Sequence, residues 1–320
     1  MQLPDSRAEL LHTRAAMYDV VIVGGGPAGL SAALVLGRCR RRVLICDAGT
    51  PRNAASRALH GFLTRDGVPP MELLRLGREE LRRYGIEVRP AVVTDVVRRG
   101  DMFEVAIADE RLLAHAVLLA TGVQDDVPDV PGLRDCYGIS VHHCPYCDGW
   151  EHSDRALAVI GHGAGGAGLA LSLKTWSDRV GLCTNGPPRL TRTQRRQLAA
   201  QGIAVHEHRI AAVEHHDGQV SAIRFADGEA LPCDGIFFSG RQSQQCDLAQ
   251  RLGCQFTRKG TVKTDHLGET CVPGIFVVGD ASRDVQFVVV AAAEGAKAGV
   301  AVNKALQARS GLAVTTAEQA

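Results

Sequence analysis

The amino-acid sequence predicts an α/β protein with parallel sheets that contains two Rossmann-like βαβ units. Two glycine-rich turns support this prediction, at residues 24–29 and 161–166, and each lies between a strand-like apolar run and a helix-like run. Strand-like and helix-like segments continue to alternate along the chain, which is typical of parallel sheets. The length of 320 residues accommodates two domains of ordinary size, each with its own core.

The first glycine-rich turn has the features expected of a dinucleotide site. It follows a buried strand at residues 18–23. Gly24 permits the tight turn, Gly26 lets the backbone approach a pyrophosphate, and Gly29 lets the helix pack closely on the sheet. Asp47 ends the next strand, where its carboxylate can accept hydrogen bonds from both hydroxyls of an adenosine ribose. Because the helix N-terminus adds free N–H groups for the phosphate, this unit is predicted to bind a dinucleotide.

The stretch between the two turns carries a redox motif. Cys144 and Cys147 are separated by two residues, so they can close a small disulfide ring. Asp148 can give or take the proton that thiol chemistry moves, and His143 can stabilise a thiolate or act as a base. A dithiol between two dinucleotide-type turns predicts electron transfer between a cofactor and a disulfide.

Two alternatives concern the same motif. His142, His143 and the two cysteines could hold a zinc ion, but structural zinc sites commonly combine two closely spaced pairs, and the 10 cysteines include only this one. We therefore predict no metal site. The histidines could instead be surface or capping residues. This alternative carries more weight for His142, because His143 is adjacent to the reactive sulfur.

Composition excludes several partners and compartments. The formal net charge of +1 provides no electrostatic basis for binding nucleic acid or an anionic membrane. No apolar run reaches the roughly 18–20 residues of a membrane span, and residues 1–16 lack the pattern of a secretory signal. Most cysteines are single and several lie in apolar runs. We therefore predict a cytoplasmic protein, with a disordered extension at 1–16 and a flexible tail at 311–320.

Four motifs together resemble one known family. They are, in chain order, Gly24-Gly25-Gly26-Pro27-Ala28-Gly29, Ala120-Thr121-Gly122, Cys144-Pro145-Tyr146-Cys147-Asp148-Gly149 and Gly279-Asp280. From residue 17 to about 308, the sequence resembles the low-molecular-weight thioredoxin reductases, a family of FAD-dependent disulfide oxidoreductases.

This resemblance implies a domain arrangement. Each domain is expected to be Rossmann-like with three ββα layers, and the second domain is expected to be inserted into the first. Residues 17–130 and 263–310 would form the FAD-binding domain, and residues 131–262 an NAD(P)-binding-like domain that carries both cysteines. A homodimer is also implied. We further expect a hinge through residues 123–133 and 255–265.

The resemblance also implies roles for individual residues. FAD would be held by Gly24, Gly26, Pro27, Ala28, Gly29, Asp47, Thr121 and Gly122. Asp280 would hydrogen-bond the ribityl chain, and Gln286 would lie near the pyrimidine edge of the flavin. Cys147 would face the flavin, Cys144 would exchange with the substrate, and Asp148 would handle the proton.

The second glycine-rich turn departs from the family. Gly161, Gly163 and Gly166 remain, so this turn is either a nucleotide site or a tight turn that binds no nucleotide. Residues 184–186 read Thr-Asn-Gly where NADPH-using members carry His-Arg-Arg, and residues 168–169 read Gly-Leu where a glutamate pair is usual. Without the arginines, NADP(H) would lose charge-assisted hydrogen bonds, so NADP(H) is not a favoured ligand.

One branch of the family, in pathways such as those of gliotoxin and holomycin, oxidises small dithiols and passes electrons from flavin to oxygen. The missing nicotinamide features favour this branch. His142 and His143 favour it too, since a base beside Cys144 helps to deprotonate an incoming thiol. The predicted function is therefore FAD-dependent oxidation of a small-molecule dithiol to a disulfide. The alternative is a thioredoxin reductase, driven by NADPH or ferredoxin, whose partner is a thioredoxin-like protein.

Overall fold

The computed structural model describes residues 16–283 and 285–312. The predicted extension and tail fall almost entirely outside these residues. Within them the strands are β1 Met17–Val23, β2 Val43–Asp47, β3 Glu87–Pro90, β4 Val93–Arg99, β5 Met102–Ile107, β6 Glu110–Leu119, β7 Val123–Asp125, β8 Val141–His142, β9 Leu157–Ile160, β10 Val180–Cys183, β11 Ala204–His206, β12 Ile210–His216, β13 Gln219–Phe225, β14 Ala230–Pro232, β15 Gly235–Phe238, β16 Gln242–Gln244 and β17 Ile275–Val277. The α-helices are α1 Pro27–Arg38, α2 Pro70–Arg82, α3 Pro145–Asp148, α4 Gly163–Leu173, α5 Arg192–Ala200, α6 Leu248–Arg251 and α7 Val288–Arg309. Single 3-10 turns lie at Arg134–Cys136, Trp150–His152 and Gly279–Ala281.

The first sheet has the strand order β3-β2-β1-β6-β5-β4, with β17 beside β6. β1, β2, β3, β6 and β17 pair in parallel, whereas β4, β5 and β6 form an antiparallel meander. Val20, Val21 and Ile22 of β1 are fully buried, as expected of a strand covered on both faces. Because β17 comes near the end of the chain and pairs with β6, the first domain combines both ends of the chain.

Helix α7 lies against α1 at very short range. A Cβ added at Gly295 would lie 2.0 Å from the carbonyl oxygen of Ala28, and one at Gly299 would lie 2.9 Å from the Cβ of Val35. Glycine at these positions therefore lets the two helices approach backbone to backbone. No helix in the described part of the chain is long and apolar enough to cross a membrane.

The second sheet has the order β11-β10-β9-β15-β8, and all of its pairs are parallel. Helices α4 and α5 cover one face, where Leu173 and Leu198 pack with Phe237. The antiparallel sheet β12-β13-β14 covers the other face, where Ile223 packs with Ile236. Two α/β domains, each built around a glycine turn and the second inserted into the first, confirm the predicted fold class.

The chain crosses between the domains twice, and the two crossings pair. β7 lies antiparallel to β16, with Asp125 opposite Gln242. After β16, Leu248 and Val262 join the core of the first sheet. Residues 248–262, assigned above to the inserted domain, therefore pack with the first domain, which moves the second boundary to β16. The apolar residues of this stretch are too sparse and irregular to indicate which core they join.

Candidate active site

A cavity of about 370 Å³ lies between the first glycine turn and the cysteine motif. Both domains line it, through the ends of β2 and β6, the start of α7 and the short helix α3. Its lining includes the predicted site residues Gly24, Gly26, Pro27, Ala28, Asp47, Thr121, Gly122, His143, Cys147, Asp148, Asp280 and Gln286, as well as His142. The predicted site residues outside the lining are Gly29, Cys144, Gly161, Gly163 and Gly166.

The first glycine turn forms an open phosphate cradle at the N-terminus of α1. Gly24 has a φ of +109°, and a Cβ there would lie 2.3 Å from the carbonyl oxygen of Ala120. A Cβ at Gly29 would lie 2.0 Å from the carbonyl oxygen of Gly24, so both positions exclude a side chain. A Cβ at Gly26 would meet nothing within 4 Å, and no side chain caps the helix. This open space at a helix N-terminus fits the pyrophosphate of FAD.

Asp47 lies beside this cradle, at the end of β2. A Cβ at Gly25 would lie 2.5 Å from Asp47 Oδ2. Arg78 of α2 donates to the same oxygen over 2.6 Å, and the Gly49 N–H donates to Oδ1 over 3.2 Å. Arg78 therefore orients the carboxylate at the position expected for the adenosine ribose. Sequence analysis did not identify Arg78, because its partner is distant in the sequence.

Arg52 connects two groups of residues around the cavity. Its Nη1 donates to Asp280 Oδ2 over 2.8 Å and to Gln286 Oε1 over 2.7 Å. Its Nε and Nη2 both donate to Asp125, over 2.7 Å and 2.6 Å. Sequence analysis missed both Arg52 and Asp125. Arg52 lies in the irregular loop after β2 and Asp125 in a three-residue strand, so no periodic pattern marks either residue.

His143 belongs to the same network. Arg52 Nη2 lies 2.9 Å from His143 Nε2, which accepts because a guanidinium can only donate. The Nδ1–H of His143 then donates to Tyr137 Oη over 3.2 Å, and Tyr137 donates to Asp125 Oδ2 over 2.9 Å. Burial lowers the pKa of His143, and the charge of Arg52 lowers it further, against the opposing effect of Asp125. His143 is therefore a neutral imidazole at physiological pH.

Asp125 is the buried anion of this network. Its side chain is 4% exposed. Burial opposes its ionisation, but the hydrogen bonds and the positive charge of Arg52 hold the pKa of Asp125 below its ordinary value. Burial and the charge of Asp125 raise the pKa of Tyr137, so Tyr137 keeps its proton and donates it. Arg52, His143, Tyr137 and Asp125 thus form a closed ring of hydrogen bonds, in which Arg52 and Asp125 are the ion pair.

Cys144 and Cys147 form a disulfide, with Cα atoms 5.3 Å apart. Helix α3 begins at Pro145, directly after Cys144, and the Asp148 N–H donates to the Cys144 carbonyl oxygen over 3.2 Å. This turn places Cys147 and Asp148 in the cavity lining and, among the described residues, leaves Cys144 outside it. Cys147 therefore lines the cavity and the half-buried Cys144 does not, and a disulfide placed in this way can exchange electrons with groups inside and outside the cavity.

The second glycine turn is closed by the chain's own backbone. A Cβ at Gly166 would lie 2.6 Å from the carbonyl carbon of Gly161, so these glycines serve a tight turn. The Gly163 N–H, at the start of α4, donates to the carbonyl oxygen of Pro188 over 2.8 Å. Pro188 belongs to the loop 184–190, which follows β10. Its carbonyl oxygen therefore occupies a donor that a pyrophosphate would need.

A smaller cavity of about 210 Å³ lies next to the His143 network. Leu169 and Phe238 contribute apolar surface to it, and Arg241 a positive charge. His143 and Asp125 line it as well. Because His143 also lines the larger cavity, this histidine is accessible from two sides.

Comparisons with known proteins identify relatives in sequence and in fold. The sequence model of the pyridine nucleotide-disulphide oxidoreductases matches residues 18–295. A probable thioredoxin reductase from Arthroderma benhamiae is 31% identical over 301 residues, which cover 83% of this chain and 74% of the relative.

Two solved structures match over both domains. The crystal structure of HlmI has a TM-score of 0.88 and 38% identity, and the match covers 93% of this chain and 95% of HlmI. The putative thioredoxin reductase TrxB from Bacillus anthracis has a TM-score of 0.87 and 32% identity, with 92% of this chain and 99% of TrxB covered.

Proposed function

The chain belongs to the pyridine nucleotide-disulphide oxidoreductase family, and from this premise we propose that it oxidises a small-molecule dithiol to a disulfide. It is an FAD-dependent disulfide oxidoreductase. FAD, when bound, supplies a two-electron acceptor for the cysteine pair and a route onward to oxygen or another acceptor. One observation carries the proposed direction: the second glycine turn is closed by the Pro188 carbonyl group.

This closed turn disfavours NAD(P)H as the electron donor. The Pro188 oxygen already accepts from Gly163 N–H, so an incoming phosphate oxygen would meet a negative partial charge instead of a donor. Asn185 stands where the family carries an arginine, and its Oδ1 accepts from the Ile210 N–H over 2.9 Å. Each charge-assisted hydrogen bond that the 2′-phosphate of NADP(H) lacks here lowers the binding free energy by about 1.5–3 kcal/mol.

Dithiol oxidation would proceed through two thiol–disulfide exchanges. A substrate thiol loses its proton to a base, and the thiolate attacks the sulfur of Cys144. The S–S bond breaks, and its electron pair stays on Cys147 as a thiolate. The second substrate thiol loses its proton and attacks the mixed disulfide, which forms the substrate disulfide and releases Cys144 as a thiolate. Two electrons have then moved from the substrate to the cysteine pair.

We assign His143 as the base for the incoming thiol, because it is neutral and adjacent to Cys144. Its Nε2 accepts from Arg52, so the guanidinium must release this nitrogen when the proton arrives. Asp125 keeps the guanidinium in place through two hydrogen bonds. Asp148, beside Cys147 in the cavity lining, would exchange the proton of that thiol.

Reduction of a thioredoxin-like protein is the second candidate, and two exposed aromatic side chains favour it. Tyr146 and Trp150 are 70% and 79% exposed beside the disulfide. Tyr146 also contacts Trp176 edge-on, with ring centroids 5.5 Å apart. Exposed aromatic surface of this kind suits a protein partner. A homodimer and a cytoplasmic location stay predictions under either candidate.

Anaerobic mixing of the FAD-loaded enzyme with dithiothreitol, NADPH or NADH distinguishes the candidates. We expect dithiothreitol to bleach the flavin absorbance, air to restore it, and neither nucleotide to bleach it at a comparable rate. The variant Cys144→Ser should not be bleached by dithiothreitol, because the exchange would lack its disulfide. Rapid stoichiometric bleaching by NADPH would contradict the proposed direction.

A further inference from the structure

Two buried histidines lie beside the cysteine motif and take no part in the steps above. His142 is 6% exposed and His152 is 9% exposed. Their Nε2 atoms lie 3.0 Å apart, and His142 Nδ1 lies 3.2 Å from Asp148 Oδ1. One hydrogen bond joins the two histidines, and the second contact is an N···O approach at ion-pair distance, so the three side chains lie in one line of polar contacts from the cavity lining into the inserted domain.

The chemistry of these groups determines where the protons are. An ionised carboxylate only accepts, so His142 must carry its proton on Nδ1 and donate it to Asp148. His142 Nε2 is then an acceptor, and His152 must carry its proton on Nε2 and donate it to His142. In this arrangement each imidazole directs a donor toward the carboxylate.

The surroundings of the two rings are largely apolar. Both rings pack on Phe237, with centroids 5.5 Å and 5.9 Å from its ring. Gly235 leaves room for His152, since a Cβ there would lie 2.8 Å from the Nδ1 of that ring. Burial and the neighbouring His142 lower the pKa of His152 to about 4. A buried imidazolium is thus disfavoured at physiological pH.

The other titratable groups nearby do not replace His142 as a donor. Arg155 and Asp234 act on the His152 end of the line, with opposite signs. His143 and Tyr137 act electrostatically with Asp148 from the side of the Arg52 network. Their hydrogen bonds go to one another, to Arg52 and to Asp125. Among the described residues, His142 is therefore the basic side chain that lies within ion-pair distance of the Asp148 carboxylate.

We propose that His142 and His152 are positioning residues that fix the orientation of the Asp148 side chain. Oδ1 accepts from His142, which leaves Oδ2 to take the proton of the Cys147 thiol and to return it. In this step an S–H bond breaks as an O–H bond forms, with no change of oxidation state. The inference rests on the proposed function, because it needs a cysteine pair that cycles between disulfide and dithiol.

Amide substitutions separate this role from simple packing. An asparagine at position 142 presents an N–H near the place of Nδ1, and a glutamine at position 152 presents one near the place of Nε2. Leucine fills similar space without a donor. The matched pairs are H142N with H142L, and H152Q with H152L.

The pH dependence of anaerobic flavin bleaching by dithiothreitol tests the role, from about pH 5 to about pH 9. Losing a hydrogen bond to a carboxylate favours its protonated form. We therefore expect the acid limb of the rate profile to move upward, on the order of one pH unit, in H142L and H152L. H142N and H152Q should keep an acid limb near that of the wild type.

Nitrogen NMR of the histidine-labelled holoenzyme gives a readout that does not depend on turnover. The expected tautomers are Nδ1–H for His142 and Nε2–H for His152, and the reverse assignment would overturn the proposal. If H142L does not fold, the acid limbs of H142N and H142Q are compared instead. The glutamine places its donor away from Asp148, so only H142Q should show the upward shift, and equal acid limbs would contradict the positioning role.

The two hypotheses fail in different ways. Wild-type flavin that is bleached by NADPH but not by dithiothreitol contradicts the proposed direction. Wild-type flavin that is bleached by dithiothreitol, together with folded leucine variants whose acid limb is unmoved, contradicts only the positioning role.

Discussion

Arg52 bonds four side chains that come from separate segments of the chain, namely Asp125, His143, Asp280 and Gln286. A guanidinium suits this position because it presents five donors in a fixed fork, whereas an ammonium group has three donors on a flexible stem. Arg52 also provides the positive charge that keeps Asp125 ionised in a buried position. Arg52 is therefore the cation that balances the carboxylates of Asp125 and Asp280 in this site.

Substitution of Arg52 should affect both stability and catalysis. We expect Arg52→Gln to lower the free energy of unfolding by about 3–5 kcal/mol, because Asp125 would remain buried without its cation. The pKa of His143 should rise once the positive charge is gone, so less neutral base is present at pH 7. Urea unfolding and stopped-flow bleaching by dithiothreitol measure the two effects. The exposed Arg57 lies in the same loop, so Arg57→Gln is the control, and equal stability of the two variants would contradict the prediction.

His152 should make the fold sensitive to acid. Its pKa is lowered from 6.5 to about 4 in the folded protein. The unfolded chain therefore binds a proton at this residue that the folded chain does not, so stability is complete above about pH 6.5 and falls as the pH drops to about 4. The loss should be about 3 kcal/mol and should disappear in His152→Gln. Unfolding free energies across this range measure it, with His216→Gln as control, since His216 is 95% exposed. Parallel pH curves for wild type and His152→Gln would refute the assignment.

The contact between α1 and α7 supports the phosphate cradle, because Ala28 both lines the cavity and touches Gly295. The contact is made by backbone atoms, since the position of a Cβ on Gly295 falls on the carbonyl group of Ala28. A change at Gly295, which lies outside the cavity lining, should therefore reach the FAD site without any direct contact to FAD.

We expect Gly295→Ala to lower stability by about 1–3 kcal/mol and to reduce the FAD content of the purified protein, since the added Cβ would force the helices apart. Thermal unfolding and the ratio of flavin to protein absorbance measure the two effects. Gly168→Ala in α4 is the matched control. A Cβ there meets nothing within 4 Å, so this change should leave FAD content unchanged and stabilise the helix by about 0.5–1 kcal/mol. Full FAD occupancy in Gly295→Ala would show that the close contact is not needed.

Local patterns predicted the parts of the site that are local in the sequence. The first glycine turn and the cysteine pair each depend on residues a few positions apart, and the acid Asp47 follows from its place at the end of the next strand. The bond between Arg52 and His143 spans 91 residues, so no spacing rule could indicate it. The closed form of the loop 184–190 was likewise not predictable. Its sequence showed which cations are missing, but not that Pro188 would bond Gly163.

The whole molecule joins two similar domains with different access to ligands. The first glycine turn opens into the large cavity, and the second is covered by backbone. The crossings between the domains lie side by side at β7 and β16. The hinge stays a prediction, and its second segment would lie at β16 instead of residues 255–265.

Ligand-dependent stability should follow this difference between the domains. We expect removal of FAD to lower the melting temperature and FAD at about 100 times its Kd to restore about 2.7 kcal/mol, because only the folded protein binds it. NADPH and NADH at the same concentrations should leave the melting temperature unchanged. Thermal unfolding of the apoprotein with each ligand measures this, with adenosine diphosphate as a control for non-specific phosphate binding. Stabilisation by NADPH alone would show that the second turn can open.

Under the proposed function, the loop over the second glycine turn would also have a physiological consequence. A flavoenzyme that cannot draw on nicotinamide would be insulated from the nutritional state of the cell. Its rate would instead follow aeration and the amount of dithiol being synthesised. Dithiol oxidation by this enzyme and disulfide reduction by NADPH-dependent enzymes could then proceed in the same cell without competing for NADPH.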